Sequence, residues 1–213
     1  MSKFSFSRRA AVAAVATAAL AAGLGAAAVT TASASPVSTG ATGTTSIAFG
    51  GPGWNAFAAS GCGTPYVSGN NGVTVTTTGH QTRVNFPISD VQYDQNYAAF
   101  RIENSGSVTF SNYCYDITFS AVRVTNFGNP GQTYSVDVSA VNHSYDDNVG
   151  RAIDFTMDFT NAVTSYPGPS TVKTEKIDLF LANEGAEEFN ELCYCYAFNS
   201  GQPIGNSRIT VKY

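Results

Sequence analysis

Apolar and polar residues alternate in short runs along most of this chain, with turn residues at each break, and this pattern limits the fold more than any other feature. In Ile153-Asp154-Phe155-Thr156-Met157-Asp158-Phe159 every second residue is apolar. That spacing puts one side of an extended strand into a core and the other into water. Comparable runs, alternating or rich in β-branched residues, cover Val73 to Thr78, Thr82 to Ile88, Ala98 to Glu103, Ser107 to Ser111, Asp116 to Thr125, Thr133 to Val141, Ala152 to Phe159, Lys176 to Leu181 and Ile209 to Tyr213. Between them stand Asn104-Ser105-Gly106, Phe127-Gly128-Asn129-Pro130-Gly131 and Tyr166-Pro167-Gly168-Pro169, residues that accept positive φ or preset a turn. Strands joined this way pair antiparallel, so the expected class is all-β: an antiparallel β-sandwich or flattened barrel. One stretch departs from it. Ala182 to Leu192 is expected to form a short helix near the C-terminus, with Asn183 as cap and Glu184, Glu187 and Glu188 in the early turns, where the helix dipole favours acids.

The N-terminal stretch reads as an export signal. Lys3, Arg8 and Arg9 are followed by an Ala-rich apolar segment from Ala10 to Val29 and the small-residue site Ala32-Ser33-Ala34. The segment is about long enough to span a bilayer, which takes roughly 20 residues. Its few large side chains and the adjoining cleavage site favour removal instead. Ser7-Arg8-Arg9 also resembles a twin-arginine signature. The expected layout is a signal peptide over 1–34, a flexible Ser/Thr/Gly leader over 35–45 and one domain over 46–213, secreted and without a membrane span after processing. Without Lys3, Arg8 and Arg9, eight of the 11 basic residues remain against 15 acidic ones, a net charge of about −7. Such a domain does not attract phosphate backbones, so nucleic acid is not an expected partner.

Cys62, Cys114, Cys193 and Cys195 all follow the cleavage site. In an oxidising compartment four cysteines imply two disulfides. On a strand, Cys193 and Cys195 would share one face and reach different partners, which leaves two pairings with Cys62 and Cys114 open. The pattern lacks zinc-site spacing, and no metal is expected.

Catalytic arrangements are scarce, and the chain is not expected to be an enzyme. His80 and His143 are the only histidines, neither in a spacing that pairs it with a nucleophile, and no Gly-x-Ser-x-Gly turn occurs. Asp146-Asp147 after His143 has the composition of a solvated turn and lacks calcium-loop spacing. Asp154 and Asp158, four apart on the polar face of one strand, would stand roughly 13 Å apart, too far for either glycosidase mechanism. Both are expected to face solvent. The notable stock is aromatic: 11 Tyr and 14 Phe, with Tyr113, Tyr115, Tyr194 and Tyr196 beside cysteines.

The order of local patterns resembles the Htaa domain, the haem-binding module of surface haem-uptake proteins in Gram-positive actinobacteria. Four pieces carry the likeness: Phe49-Gly50 with Trp54 and Phe57; Val84-Asn85-Phe86-Pro87-Ile88 with Tyr93-Asp94; Gly106-Ser107-Val108-Thr109-Phe110 with Asp116-Ile117-Thr118 and Val122-Arg123-Val124; and Leu181, Glu184-Gly185-Ala186, Phe189 and Tyr196 with Gly201-Gln202-Pro203-Ile204. The resemblance implies an extracellular β-rich domain that binds haem through a tyrosine near its first helix, supported by a histidine in a central loop. Tyrosinate, a hard anionic oxygen donor, suits ferric iron. This chain departs from the pattern at both places: Phe57 stands where the ligand is expected, with Tyr66 in a second register, and Tyr113 replaces the histidine. The haem-binding candidates are therefore Tyr66 and Tyr113, with His80 in support and haem or a haem protein as the expected partner. The alternative keeps the fold without haem, as a disulfide-stapled extracellular structural or binding module for a cell-wall or protein partner.

Overall fold

A computed structural model describes residues 37–51, 54, 65–79, 81–94, 99–113, 116–126, 133–142, 147–193 and 198–213. Their alternation becomes strands: β1 (Val37–Ser38), β2 (Thr42–Phe49), β3 (Tyr66–Asn70), β4 (Thr74–Thr78), β5 (Gln81–Asp94), β6 (Ala99–Asn104), β7 (Ser107–Ser111), β8 (Asp116–Asn126), β9 (Thr133–Asn142), β10 (Asp147–Asp158), β11 (Val163–Gly168), β12 (Thr171–Leu181) and β13 (Pro203–Lys212). Helix α1 (Asn183–Cys193) lies between β12 and β13.

The strands form a closed antiparallel barrel. Around the ring the order is β5, β2, β13, β12, β10, β9, β8 and β6, and β6 returns to β5. Closure removes the sheet edges that an open sandwich would leave. Near the seam the wall divides: the first part of β8 pairs with β7 rather than β6, and β7 with β3. The first part of β5 meanwhile pairs with β4. β3 and β4 are joined by a tight turn at Asn70–Val73, where Val73 N–H donates to the Asn70 carbonyl, but no strand ladder links them.

Inward-facing residues fill the barrel, among them Val84, Phe86, Ile102, Val124, Val136, Met157, Ile177, Leu179 and Ile209. At one end, here called the helix end, sit Phe49 opposite Thr82 and Gly205, Leu181 opposite Phe155, and Tyr66 opposite Ser111. A cluster of rings closes it. Phe49 meets Trp54 at 5.0 Å between centroids, Phe110 at 5.5 Å and Phe155 at 6.1 Å. Phe189 of α1 meets Phe119 at 5.5 Å and Phe198 at 5.3 Å.

Several expectations change. β2 begins at Thr42, with Thr45 and Ser46 buried, so regular structure extends into the stretch read as a leader. Cys193 ends a helix rather than lying on a strand. Asn183 is the first helical residue rather than the cap: Ala186 N–H donates to the Ala182 carbonyl, and the Asn183 amide donates to Glu187 at 2.9 Å.

Candidate functional site

The helix end gathers the sequence candidates that the described residues include. Tyr66 opens β3 directly opposite Ser111, and Tyr113 follows Ser111 by two residues. Tyr66 is 73% exposed and Tyr113 fully so. Two exposed phenols thus stand at one end of the β3–β7 ladder, and Tyr66, opposite Ser111, lies on the outer side of a wall whose inner side carries Phe110. His80 lies outside the described residues. Phe57, Cys62, Cys114, Cys195, His143, Asp146, Tyr115, Tyr194 and Tyr196 also lie outside the described residues. So does the export signal. Cys193 is the last residue of α1. Among the described residues no helix is long and apolar enough to cross a membrane, and no group of three or more metal-ligating side chains assembles.

Asp154 is the residue that sequence reasoning placed wrongly. It is 1% exposed, not solvent-facing. In the pairing of β10 with β9, Ile153 opposes Asp137 and Phe155 opposes Val136, so Asp154 is an extra residue in a bulge. Helix α1 occupies the space so created. Ala182 N–H donates to the Asp154 carbonyl at 2.9 Å, and Ile153 N–H donates to the Glu184 carboxylate at 2.8 Å. Gly185 lies so close to the Asp154 backbone that a Cβ there would collide with its carbonyl. Neither Asp154 carboxyl oxygen has a partner in hydrogen-bond geometry, but the Glu188 carboxyl is near enough to interact with it. Burial first, then Glu188, pushes Asp154 up to about 9. Burial likewise raises Glu188, and its interaction with Asp154 opposes that rise. The neutral form of Asp154 is thus favoured where it lies, walled in beneath α1 beside Glu188. The one signal in the sequence was Gly185, since a glycine inside a helix marks a close backbone approach.

Among the described residues, two clefts open on the outer wall. The first, of about 210 Å³, is lined by Arg101, Arg123, Asp137, Arg151 and Glu184 among others. Each of its guanidinium groups has a carboxylate partner: Arg101 lies 3.8 Å from Glu103, Arg123 bridges Glu103 at 2.9 Å and Asp137 at 3.4 Å, and Arg151 pairs with Asp137 while donating to the Ala121 carbonyl at 2.7 Å. The second, of about 440 Å³, lies across β5, β13 and β12 and is lined by Arg83, Glu175, Lys176, Asp178, Asn206, Ser207 and Arg208.

The sequence matches no family model, and no curated protein matches it. Solved structures do. The C-terminal domain of HtaA from Corynebacterium glutamicum superposes with a TM-score of 0.55 at 13% identity, over 81% of this chain and 98% of that one. The heme binding protein HtaB from the same organism gives 0.54 at 13% identity, over 81% and 93%. A domain-swapped dimer of a variant of the HtaA C-terminal domain gives 0.52 at 14% identity, over 88% and 99%. At such identities the likeness is one of fold, and the chain has the fold of a divergent Htaa-like domain.

Proposed function

On the premise of that fold, we propose that the chain is an exported, non-enzymatic domain that binds ferric haem outside the cell at the helix end of its barrel. The observation that carries this reading is the pair of exposed phenols, Tyr66 and Tyr113, at one ladder end. Their chemistry fits the cargo: a phenolate oxygen is a hard donor for ferric iron, and a neighbouring donor group tunes it. Tyr66 or Tyr113 supplies the iron ligand in this reading, and His80 supports it. HtaB is described as a heme binding protein, which favours the same ligand class here.

A second reading rests on the ring cluster. Phe49, Trp54, Phe110, Phe155, Phe189 and Phe198 fill the helix end, so an extracellular module that docks on the cell wall or another protein needs no internal ligand. Adding hemin to the purified mature domain distinguishes the two. The haem reading expects a saturable Soret shift with one hemin per chain, abolished by Tyr66→Phe or Tyr113→Phe. A spectrum identical to free hemin overturns it and leaves the docking module.

Export and stapling complete the proposal. The secreted protein should begin at Ser35. With both disulfides formed its non-reduced mass should be about 4 Da below that of the four-thiol chain. Four free thiols would remove the stapled picture.

A further inference from the structure

In the second outer cleft, unlike the first, two of the three basic residues have no carboxylate partner among the described residues. Its basic lining is Arg83, Lys176 and Arg208; its acids are Glu175 and Asp178. Glu175 is already engaged, by Lys173 at 2.8 Å and by Arg208 at 3.7 Å. Arg83 is half-buried and, among the described residues, donates to neutral acceptors, the Ser46 hydroxyl at 3.0 Å and the Asn206 side-chain carbonyl at 3.4 Å. Among the described residues no carboxylate forms an ion pair with it or with Lys176. Burial, then the like charge of Arg208, lowers Arg83 from its ordinary value, with Glu175 acting against them.

The backbone is also shaped at this point. Thr174 opposes Ile209 and Ile177 opposes Ser207, so β12 carries one extra residue. The buried series Val172, Thr174, Ile177, Leu179 and Leu181 skips a step there, and Glu175 and Lys176 both stay out of the core. Lys176 takes φ of 57°, a conformation that glycine adopts freely and lysine rarely does. A lysine is thus held where a glycine would fit better, at the rim of a cleft with a surplus of positive charge, in a chain whose net charge is −4.

We propose that this cleft binds a phosphate group, with the Arg83 guanidinium as the fixed donor at its wall and Lys176 and Arg208 closing over the anion. Guanidinium presents paired N–H groups that match a phosphate's oxygens, and an ammonium adds a point charge. The site draws on β12, β13 and β5, not on the tyrosine ladder of β3 and β7, so it stands or falls apart from haem binding.

The test is titration of the mature protein with inorganic phosphate and, separately, dimethyl phosphate, at low ionic strength, followed by the backbone amide NMR signals of Lys176, Ile177 and Asn206. Inorganic phosphate stands for the free dianion or a monoester, and dimethyl phosphate for one link of a phosphodiester polymer. A saturable response to either supports the site and identifies its source. Lys176→Gly relieves the backbone and removes one charge, so it should keep full thermal stability while weakening binding about fivefold. Arg83→Gln should weaken it about tenfold or more. Arg101→Gln, in the other cleft, should change nothing. A response no larger than that to sodium chloride at equal ionic strength overturns the proposal, as does equal binding by the parent and Lys176→Gly.

Discussion

Asp154 lies on a strand whose residues alternate in chemistry without a flaw, and yet its carboxyl is inside. Phe155, Met157 and Phe159 face the core as their spacing requires; the bulge adds Asp154 to that side without disturbing them. Ile153, which shares the spacing of Phe155, opposes Asp137 and lines the outer cleft instead, so the chemical alternation runs straight through an insertion that reverses the facing on its N-terminal side, and the two-residue period gives no sign of it. The energetic consequence is testable. Its carboxyl is raised from 3.8 to about 9, so between those values the folded chain holds a proton that the unfolded chain has released. Stability then falls as pH rises through that window and is greatest below it. Glu188 shifts in the same direction. Asp154→Asn keeps the shape and cannot ionise, so relative to the parent it should gain about 1–3 kcal/mol between pH 5 and pH 8 in urea unfolding. Parallel pH profiles for the two proteins would refute the neutral-acid assignment. Tyr66 and Tyr113, 47 residues apart, are alternative ligand candidates that the family pattern alone suggests; that both stand at one end of the β3–β7 ladder is a matter of register, which the sequence does not carry.

At the scale of elements, periodic runs were legible and composition-poor ones were not. Ser107–Ser111 is the strand the alternation indicates, and α1 runs Asn183–Cys193 against an expected Ala182 to Leu192. β3, with Ser68, Gly69 and Asn70, has few residues that favour a strand, and β11 contains Pro167 and Gly168. Each pairs with a single neighbour, where weak strand formers are tolerated. Docking of α1 rests on two contacts with opposite lessons. At Gly185, alanine would favour an isolated helix by about 1 kcal/mol. Its methyl would strike the Asp154 backbone, so Gly185→Ala should instead destabilise the protein by about 2 kcal/mol or more. A net gain in urea unfolding would mean that α1 is not seated as described. Phe189→Ala removes the ring that joins Phe119, Phe155 and Phe198 and should cost about 3–5 kcal/mol by the same measurement.

For the whole molecule, the class was readable because alternation with turns leaves few options, but sandwich and barrel could not be separated. That choice rests on one short strand, β6, pairing with β5 on one side and β8 on the other, and residues far apart in sequence decide it. The ring has a further property. β2 and β13 are neighbours along their full length, from Gly205 opposite Phe49 to Lys212 opposite Thr42, so Thr42 and Lys212 sit side by side at the end away from α1. A load applied through those two points would pull adjacent antiparallel strands apart one hydrogen-bond pair at a time rather than shear the whole ladder at once. The barrel should therefore peel open at low force from its far end, and the helix end would feel the strain last.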